Sequence, residues 1–574
     1  MRARRSVLLV VAVALALSAC SVSLASTVKP APADKQPAGG TLYMLRLGPV
    51  DSWDPQRLYV TADMAFAGRV FERTLTAWAP ATDQNTLPKL VPDLATDTGV
   101  MTNGGKSWSF TLRGSATWQD GRPVTCADVK YGISRTFATG QITGGPTYAL
   151  ALLDVPRNAD GSSTYAGPYR KAGQPAFDKA VSCSGQTITF RLATPMPDFN
   201  QVLAQPAFGP VRSDKDHGAD SRTQIFSNGP YMLRGPWVPS RGATFVRNPS
   251  WDSATDPIRG AHPGRIDFQE GIPVETAISR IMTTAGLDSF AVTADSAPPA
   301  LQSNIMFTPA IRARSTNPRA PFVDYLVPNF ARPTMANVSV RQALAVATNR
   351  EAYIAALGGD TAAEATYAVI NKSLPAYQDS NPLGVPPRGD ATRASALLQA
   401  SGMTLPVSIT VAYRKGTMAD KAMAALQQGW QSAGFRVTLD AVDKDYFTTI
   451  ATVQNSRGYD VMWAVGSAEW PSGSSVIPSL FDSRVNLTAT SSGQDYGRFA
   501  STAFNAKIDA AALVPDASDR EKAWGKLDEE LSTQVAVIPL TNQKSVFVHG
   551  TAVTSYIDNQ ALGGTVDLAT VAVR

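Results

Sequence analysis

The chain has 574 residues, 44% of them hydrophobic and 17% charged, with 43 Gly and 40 Pro, enough to bury sizeable cores in two or three lobes. Its formal charge of +5 is small for this length, and part of it sits in Arg2, Arg4 and Arg5. Such near-neutrality argues against a nucleic-acid binder, for which a clustered basic face is expected.

Arg2, Arg4 and Arg5 precede an apolar run from Val7 to Leu17, which is the anatomy of an export signal. The run is shorter than the roughly 20 apolar residues that a membrane helix needs. It closes on Leu17-Ser18-Ala19-Cys20, a lipoprotein cleavage box, so residues 1–19 read as a leader and Cys20 as the lipidated first residue of the mature chain. Two or more acyl chains at about 0.8 kcal/mol per buried methylene would hold it on the outer face of a bacterial membrane. The alternative is an ordinary secretory signal with a chance cysteine. Arg4-Arg5-Ser6-Val7-Leu8 also faintly resembles a twin-arginine signal, leaving the export route open. Residues 20–40, rich in Ser, Pro, Ala and Gly, read as a flexible leash.

From Gly40 the chain alternates strand and helix signals. Thr41 to Leu45 reads as a strand, and Ala62 to Leu75 as a helix with Met64, Phe66, Val70, Phe71 and Leu75 on one side. Ser107 to Arg113 alternates polar and apolar residues as a half-buried strand does, and Gln119-Asp120-Gly121-Arg122-Pro123 supplies a turn. Thr125 and Asp128 form a short-armed capping box for a helix through Val129, Ile133 and Phe137. With Cys20 lipidated, Cys126 and Cys183 remain as a pair outside the membrane, so one disulfide between that helix and the strand near Gln186–Leu192 is expected, two buried free thiols being the alternative. Further on, Ser339 to Leu357 reads as a single helix ending at Gly358-Gly359. Pro406 to Tyr413 reads as a strand, Asp420 to Ala433 as a helix, and Phe435 to Leu439 as the next strand. This strand-helix-strand run favours α/β architecture with parallel pairing.

Catalytic and metal chemistry find little support. No Gly-x-Ser-x-Gly elbow occurs, and Gly105-Lys106-Ser107 lacks the upstream glycine and following helix of a phosphate loop. The three histidines, His217, His262 and His549, are far apart, so neither a metal site nor a cofactor is expected.

Several ordered stretches resemble the family 5 extracellular solute-binding proteins of ABC importers, the group that includes oligopeptide and dipeptide receptors. They are Leu90-Val91-Pro92-Asp93-Leu94-Ala95, Trp108 to Arg113, Trp118 to Thr125 with Asp128-Val129, Asn228-Gly229-Pro230-Tyr231, Arg247-Asn248-Pro249, Val340 to Leu344, Leu397 to Gly402, and Ile538-Pro539-Leu540. The resemblance implies a two-lobed periplasmic-binding-protein-like fold with an extra subdomain and a ligand cleft between the lobes. Residues 41–271, with a subdomain near 84–185, would form lobe I, residues 272–529 lobe II, and residues 530–574 a return to lobe I. It also implies a monomer that performs no chemistry, binds a peptide and closes on it by a hinge, then meets the transmembrane subunits of an ABC permease. A non-peptide solute such as an oligosaccharide, an opine-like amine or a metal chelate, or sensing without import, stays open.

The pocket reading rests on Gly466-Ser467-Ala468-Glu469-Trp470. Peptide-binding relatives carry a tryptophan, then three positions later an aspartate that meets the ligand's α-ammonium, then an aromatic. Here these positions are Gly466, Glu469 and Trp470, so the carboxylate moves out by roughly one bond, about 1.5 Å. A carboxylate in a cleft selects an amine; the alternative is that Glu469 pairs with a protein Arg or Lys or faces solvent. Gly466 in place of tryptophan would leave room or remove a stacking wall. Trp53 is a candidate cleft aromatic or a core residue, while Asn228 and Tyr231 are expected to hold a turn.

Overall fold

Residues 39–574 are described by the computed structural model. Cys20, the leader and nearly all of the leash lie outside them.

Three sheets organise the chain. The first runs in the order Ala291–Thr293, Thr41–Leu45, Arg265–Gln269, Gly242–Arg247, Tyr231–Val238. Thr41–Leu45 pairs in parallel with both its neighbours, and the last two pairs are antiparallel. The second, wholly antiparallel, has the order Val100–Thr102, Ser107–Thr111, Thr187–Arg191, Val181–Ser184. The third has the order Ala363–Ala365, Ile538–Lys544, Arg319–Pro328, Val461–Ser467, Val407–Arg414, Phe435–Val442. Its first three pairs are antiparallel and its last two parallel.

The alternation in Ser107–Thr111 does what its pattern requires: Trp108 and Phe110 point into the core of the second sheet while Ser107 and Ser109 face outward. The helix Cys126–Arg135 covers that core. Thr125 Oγ1 accepts from Asp128 N, and Asp128 Oδ2 accepts from Thr125 N, closing the expected capping box. Cys126 on this helix and Cys183 on Val181–Ser184 form a disulfide, with α-carbons 6.0 Å apart. In the third sheet, the helix Thr417–Ser432 buries Met423, Leu426 and Trp430 against the parallel strands.

Two helices end earlier than their periodicity suggests. The first spans Thr61–Val70 and stops short of Leu75, because the Phe71 carbonyl accepts from the backbone N–H groups of Asn228 and Gly229, both at 3.1 Å. Leu75 instead leads into the strand Thr76–Trp78. The expected single helix from Ser339 to Leu357 is two, Val338–Ala347 and Arg350–Leu357. Between them Thr348 is extended, and the Asn349 side chain caps the second helix by accepting from Ala352 N.

Ala291–Thr293 hydrogen bonds to Thr41–Leu45, so the first sheet continues past residue 272. Ile538–Lys544 lies between Arg319–Pro328 and Ala363–Ala365, so the third sheet continues past residue 529. The chain crosses between the two bodies near residues 317–319 and 545–546, beside the antiparallel pair Ser315–Thr316 and Phe547–Val548. Below, the first body means the first two sheets with their helices, and the second body the third sheet with its helices.

Candidate functional site

A cavity of about 410 Å³ lies between these two bodies. Its wall on the first body comes from the start of the helix Thr61–Val70, from Gln201 and Gln205, and from residues 560–563; the second body supplies Phe322, Asn371, Leu374 and residues 467–471. The volume falls in the range of small-molecule sites, roughly 300–1,000 Å³.

The strand Val461–Ser467 delivers the candidate ligand residues. Val461, Met462 and Ala464 are buried in the second body, and the chain leaves the sheet at Ser467, so Ser467, Ala468, Glu469 and Trp470 project into the cavity wall. Glu469 is exposed there, and its carboxylate reaches across to the first body. Tyr59 donates to Oε1 at 3.2 Å, Tyr148 donates to Oε2, and the Glu469 carbonyl accepts from Gln205 Nε2 at 2.8 Å. Among the described residues no Arg or Lys forms an ion pair with it. Burial first, and then the charge of Glu469, push the Tyr59 phenol up; burial and the hydrogen bond to Glu469 do the same for Tyr148. Both hydroxyls therefore stay protonated as donors.

Trp470 stands beside this group. Its Nε1 donates to Ser474 Oγ at 3.0 Å, and its ring meets Tyr148 edge-on with centroids 5.9 Å apart. The cations in the cavity wall are already committed. Arg69 holds Asp567 through Nε at 2.7 Å and Nη2 at 3.0 Å, and Arg259 holds Asp93 at 2.9 Å and Asp256 at 3.1 Å. Glu469 is thus the charged group of the wall without an ionic partner among the described residues.

Just behind, a buried ion pair joins the bodies. Asp198 accepts from Arg520 Nη2 at 2.6 Å and Nε at 3.1 Å, and from Ser472 Oγ at 3.1 Å. Arg520 lies on the helix Ala517–Thr533, whose Trp524 and Leu531 pack in the core of the second body.

Two expected site residues lie elsewhere. Trp53 is fully buried in the aromatic core of the first body, with ring centroids 4.9 Å from Trp237 and 5.3 Å from Phe66, and does not line the cleft cavity. Gly466 does not line it either. A Cβ there would meet Tyr325 Cε1 at 3.3 Å and Leu480 Cδ1 at 3.8 Å, so the position faces the interior of the second body, where Tyr325 occupies the adjacent space. Asn228 and Tyr231 are structural: Asn228 Oδ1 accepts from Arg73 N at 2.7 Å, and the Tyr231 hydroxyl donates to Pro263 O at 2.7 Å. Tyr59, Tyr148 and Gln205 carry no motif, and no signal in the sequence marks them as partners of a residue more than 260 positions away.

Residues 89–487 match the family described as bacterial extracellular solute-binding proteins, family 5 Middle. The chain belongs to that family. Its members bind solutes for transport and are not enzymes. Relatives include the periplasmic oligopeptide-binding protein OppA of Salmonella typhimurium (strain LT2), 24% identical with 76% of each chain covered. The periplasmic murein peptide-binding protein MppA of Escherichia coli (strain K12) is 23% identical with 80% of each covered. Among solved structures, clavulanic acid biosynthesis oligopeptide binding protein 2 superposes with a TM-score of 0.83 at 27% identity, covering 94% of this chain and 96% of that one. This family and these likenesses establish the two-lobed α/β binding-protein fold.

Proposed function

We propose that this protein is the substrate-binding component of an ABC importer, capturing peptides in the cleft between its two bodies with the N-terminal ammonium held at Glu469. The observation that carries the reading is the Glu469 carboxylate, oriented by two tyrosine hydroxyls in a cavity wall whose arginines are already paired. Such a wall recognises an amine and offers no free cation for a carboxylate, so the amino end of the ligand is the end that is read. Ser467 and Ala468 line the cavity where the backbone leaves the sheet, and Trp470 stands as an aromatic wall. Relatives named for oligopeptides and murein peptides support the same cargo.

On this reading the mature protein is a monomer, tethered outside the membrane through lipidated Cys20, and hands its cargo to the permease after hinge closure. A thermal-shift panel of di- to hexapeptides against sugars and metal chelates tests the cargo, since a ligand stabilises the fold by RT ln(1 + [L]/Kd). Peptides raise the melting temperature, and acetylating their N-termini abolishes the shift. A response to sugars or chelates alone contradicts the peptide reading.

A further inference from the structure

A second cavity, of about 120 Å³, lies within the first body and shares no lining residue with the cleft. Its walls are the rings of Trp53, Phe71, Trp118 and Phe226, and Glu72 is set among them. The exposed residues Lys215 and His217 form part of its lining, so it reaches the surface.

Glu72 is 2% exposed, and its Oε1 is buried without a hydrogen-bond partner. The Trp53 Nε1–H, in the same wall, is also buried and unpartnered. The charges around Glu72 are matched elsewhere. Arg73 and Arg259 are shared between Asp93 and Asp256, and Arg135 holds Asp54 at 2.6 Å and Asp216 at 3.1 Å. At the rim, Arg212 is tied to Asp120 and Asp214. Gly209 packs on the carboxyl so closely that a Cβ there would lie 2.2 Å from Oε1. Among the described residues Glu72 forms no ion pair and its Oε1 no hydrogen bond, Arg259 and Arg135 acting on it only through longer-range charge. Beside it stand the rings of Trp53, Phe71 and Trp118, while the face of Phe226 already carries Arg212 and Lys215, each 5.4 Å from its centroid.

We propose that this cavity binds a small organic cation, an ammonium or short primary alkylammonium ion, through the Glu72 carboxylate and the surrounding aromatic faces. The chemistry follows from the lining: aromatic faces attract a cation, a buried carboxylate requires one, and the volume accommodates a few water-sized groups but not a peptide. Burial, reinforced by Asp54 and Asp93 and opposed by Arg259 and Arg135, pushes the Glu72 carboxyl up, so without a cation it stays protonated well above the usual carboxylate range. The inference is independent of the peptide reading of the cleft.

The test is the melting temperature of the full protein in methylammonium chloride, against tetraethylammonium chloride of equal ionic strength, at pH 5 and pH 8. Methylammonium raises it by about 1–3 °C once in several-fold excess over Kd. Tetraethylammonium, too bulky for the cavity, does not. The gain is larger at pH 8, where binding must supply less of the energy to ionise Glu72. Glu72→Gln abolishes the gain. If Glu72→Gln does not fold, the contrast between salts and between pH values in the unmodified protein decides. Equal responses to the two salts, no response to methylammonium, or a response that survives in a folded Glu72→Gln overturns the proposal.

Discussion

Replacing Glu469 by Gln removes one charge from the cleft and little else. The amide keeps one oxygen to accept from a tyrosine, and its NH₂ can donate to the other hydroxyl, so the bridge among Glu469, Tyr59 and Tyr148 keeps its shape. What is lost is the attraction between carboxylate and ammonium. A hydrogen bond to a charged group contributes about 1.5–3 kcal/mol, and about 1.4 kcal/mol is tenfold in affinity. Glu469→Gln should therefore weaken a peptide with a free N-terminus by roughly 10- to 150-fold. The lower end is favoured if the cleft stays wet, because Glu469 is exposed in this structure. Isothermal titration with one peptide, free and N-acetylated, against both proteins closes a double-mutant cycle. Acetylation and Glu469→Gln should each weaken binding, and together do little more than either alone. Additive losses, or an unchanged Kd for the free peptide in Glu469→Gln, would refute the ammonium contact.

Four further predictions concern other parts of the chain. Asp198→Ala leaves Arg520 buried without its partner and should cost about 3–5 kcal/mol of stability by denaturant titration, whereas Asp198→Ala with Arg520→Met should recover much of that loss. The disulfide closes a separation of 57 residues. Chain-entropy accounting then gives on the order of 4 kcal/mol for replacing both Cys126 and Cys183 by Ala, and an unchanged midpoint would remove the bridge as a source of stability. Burial pushes Asp495 up to about 7 and Asp324 up to about 6, so the folded state binds protons more tightly than the unfolded chain, and stability should fall as pH rises from about 4 through 7. Asp495→Asn should flatten that slope; a melting temperature that rises over this range contradicts the assignment. Cys20→Ser should move the protein from the membrane fraction to the soluble fraction of its host, and continued sedimentation with membranes would remove lipidation as its anchor.

The legible parts of the fold were those set by local chemistry. The alternation of Ser107–Thr111, the Thr125–Asp128 box and the periodicity of Thr417–Ser432 each carry their own physical cause, and each folds as read. The misread helix ends had tertiary causes. Nothing near Val70 announces that the Phe71 carbonyl will serve Asn228 and Gly229. The break at Thr348 was different, since Asn349 is a good N-cap residue within an apolar pattern that masks it. In the site, Glu469, Trp470, Ser467 and Ala468 were reachable because they follow one strand. Trp53 stays open between cleft and core in the sequence, and Gly466 reads as part of the wall, because sequence order places a residue on a strand or loop without saying which side of it faces the cleft. The first-body half of the site, Tyr59, Tyr148 and Gln205, becomes visible only when the two bodies meet.

The central claim is the cargo, and native mass spectrometry of the protein purified from its own host tests it most directly. The account predicts bound masses that dissociate and fragment as peptides with free N-termini, and that disappear in Glu469→Gln. A bound sugar, metal chelate or other solute lacking an amine would contradict it, leaving the binding-protein fold in place and the peptide reading without support.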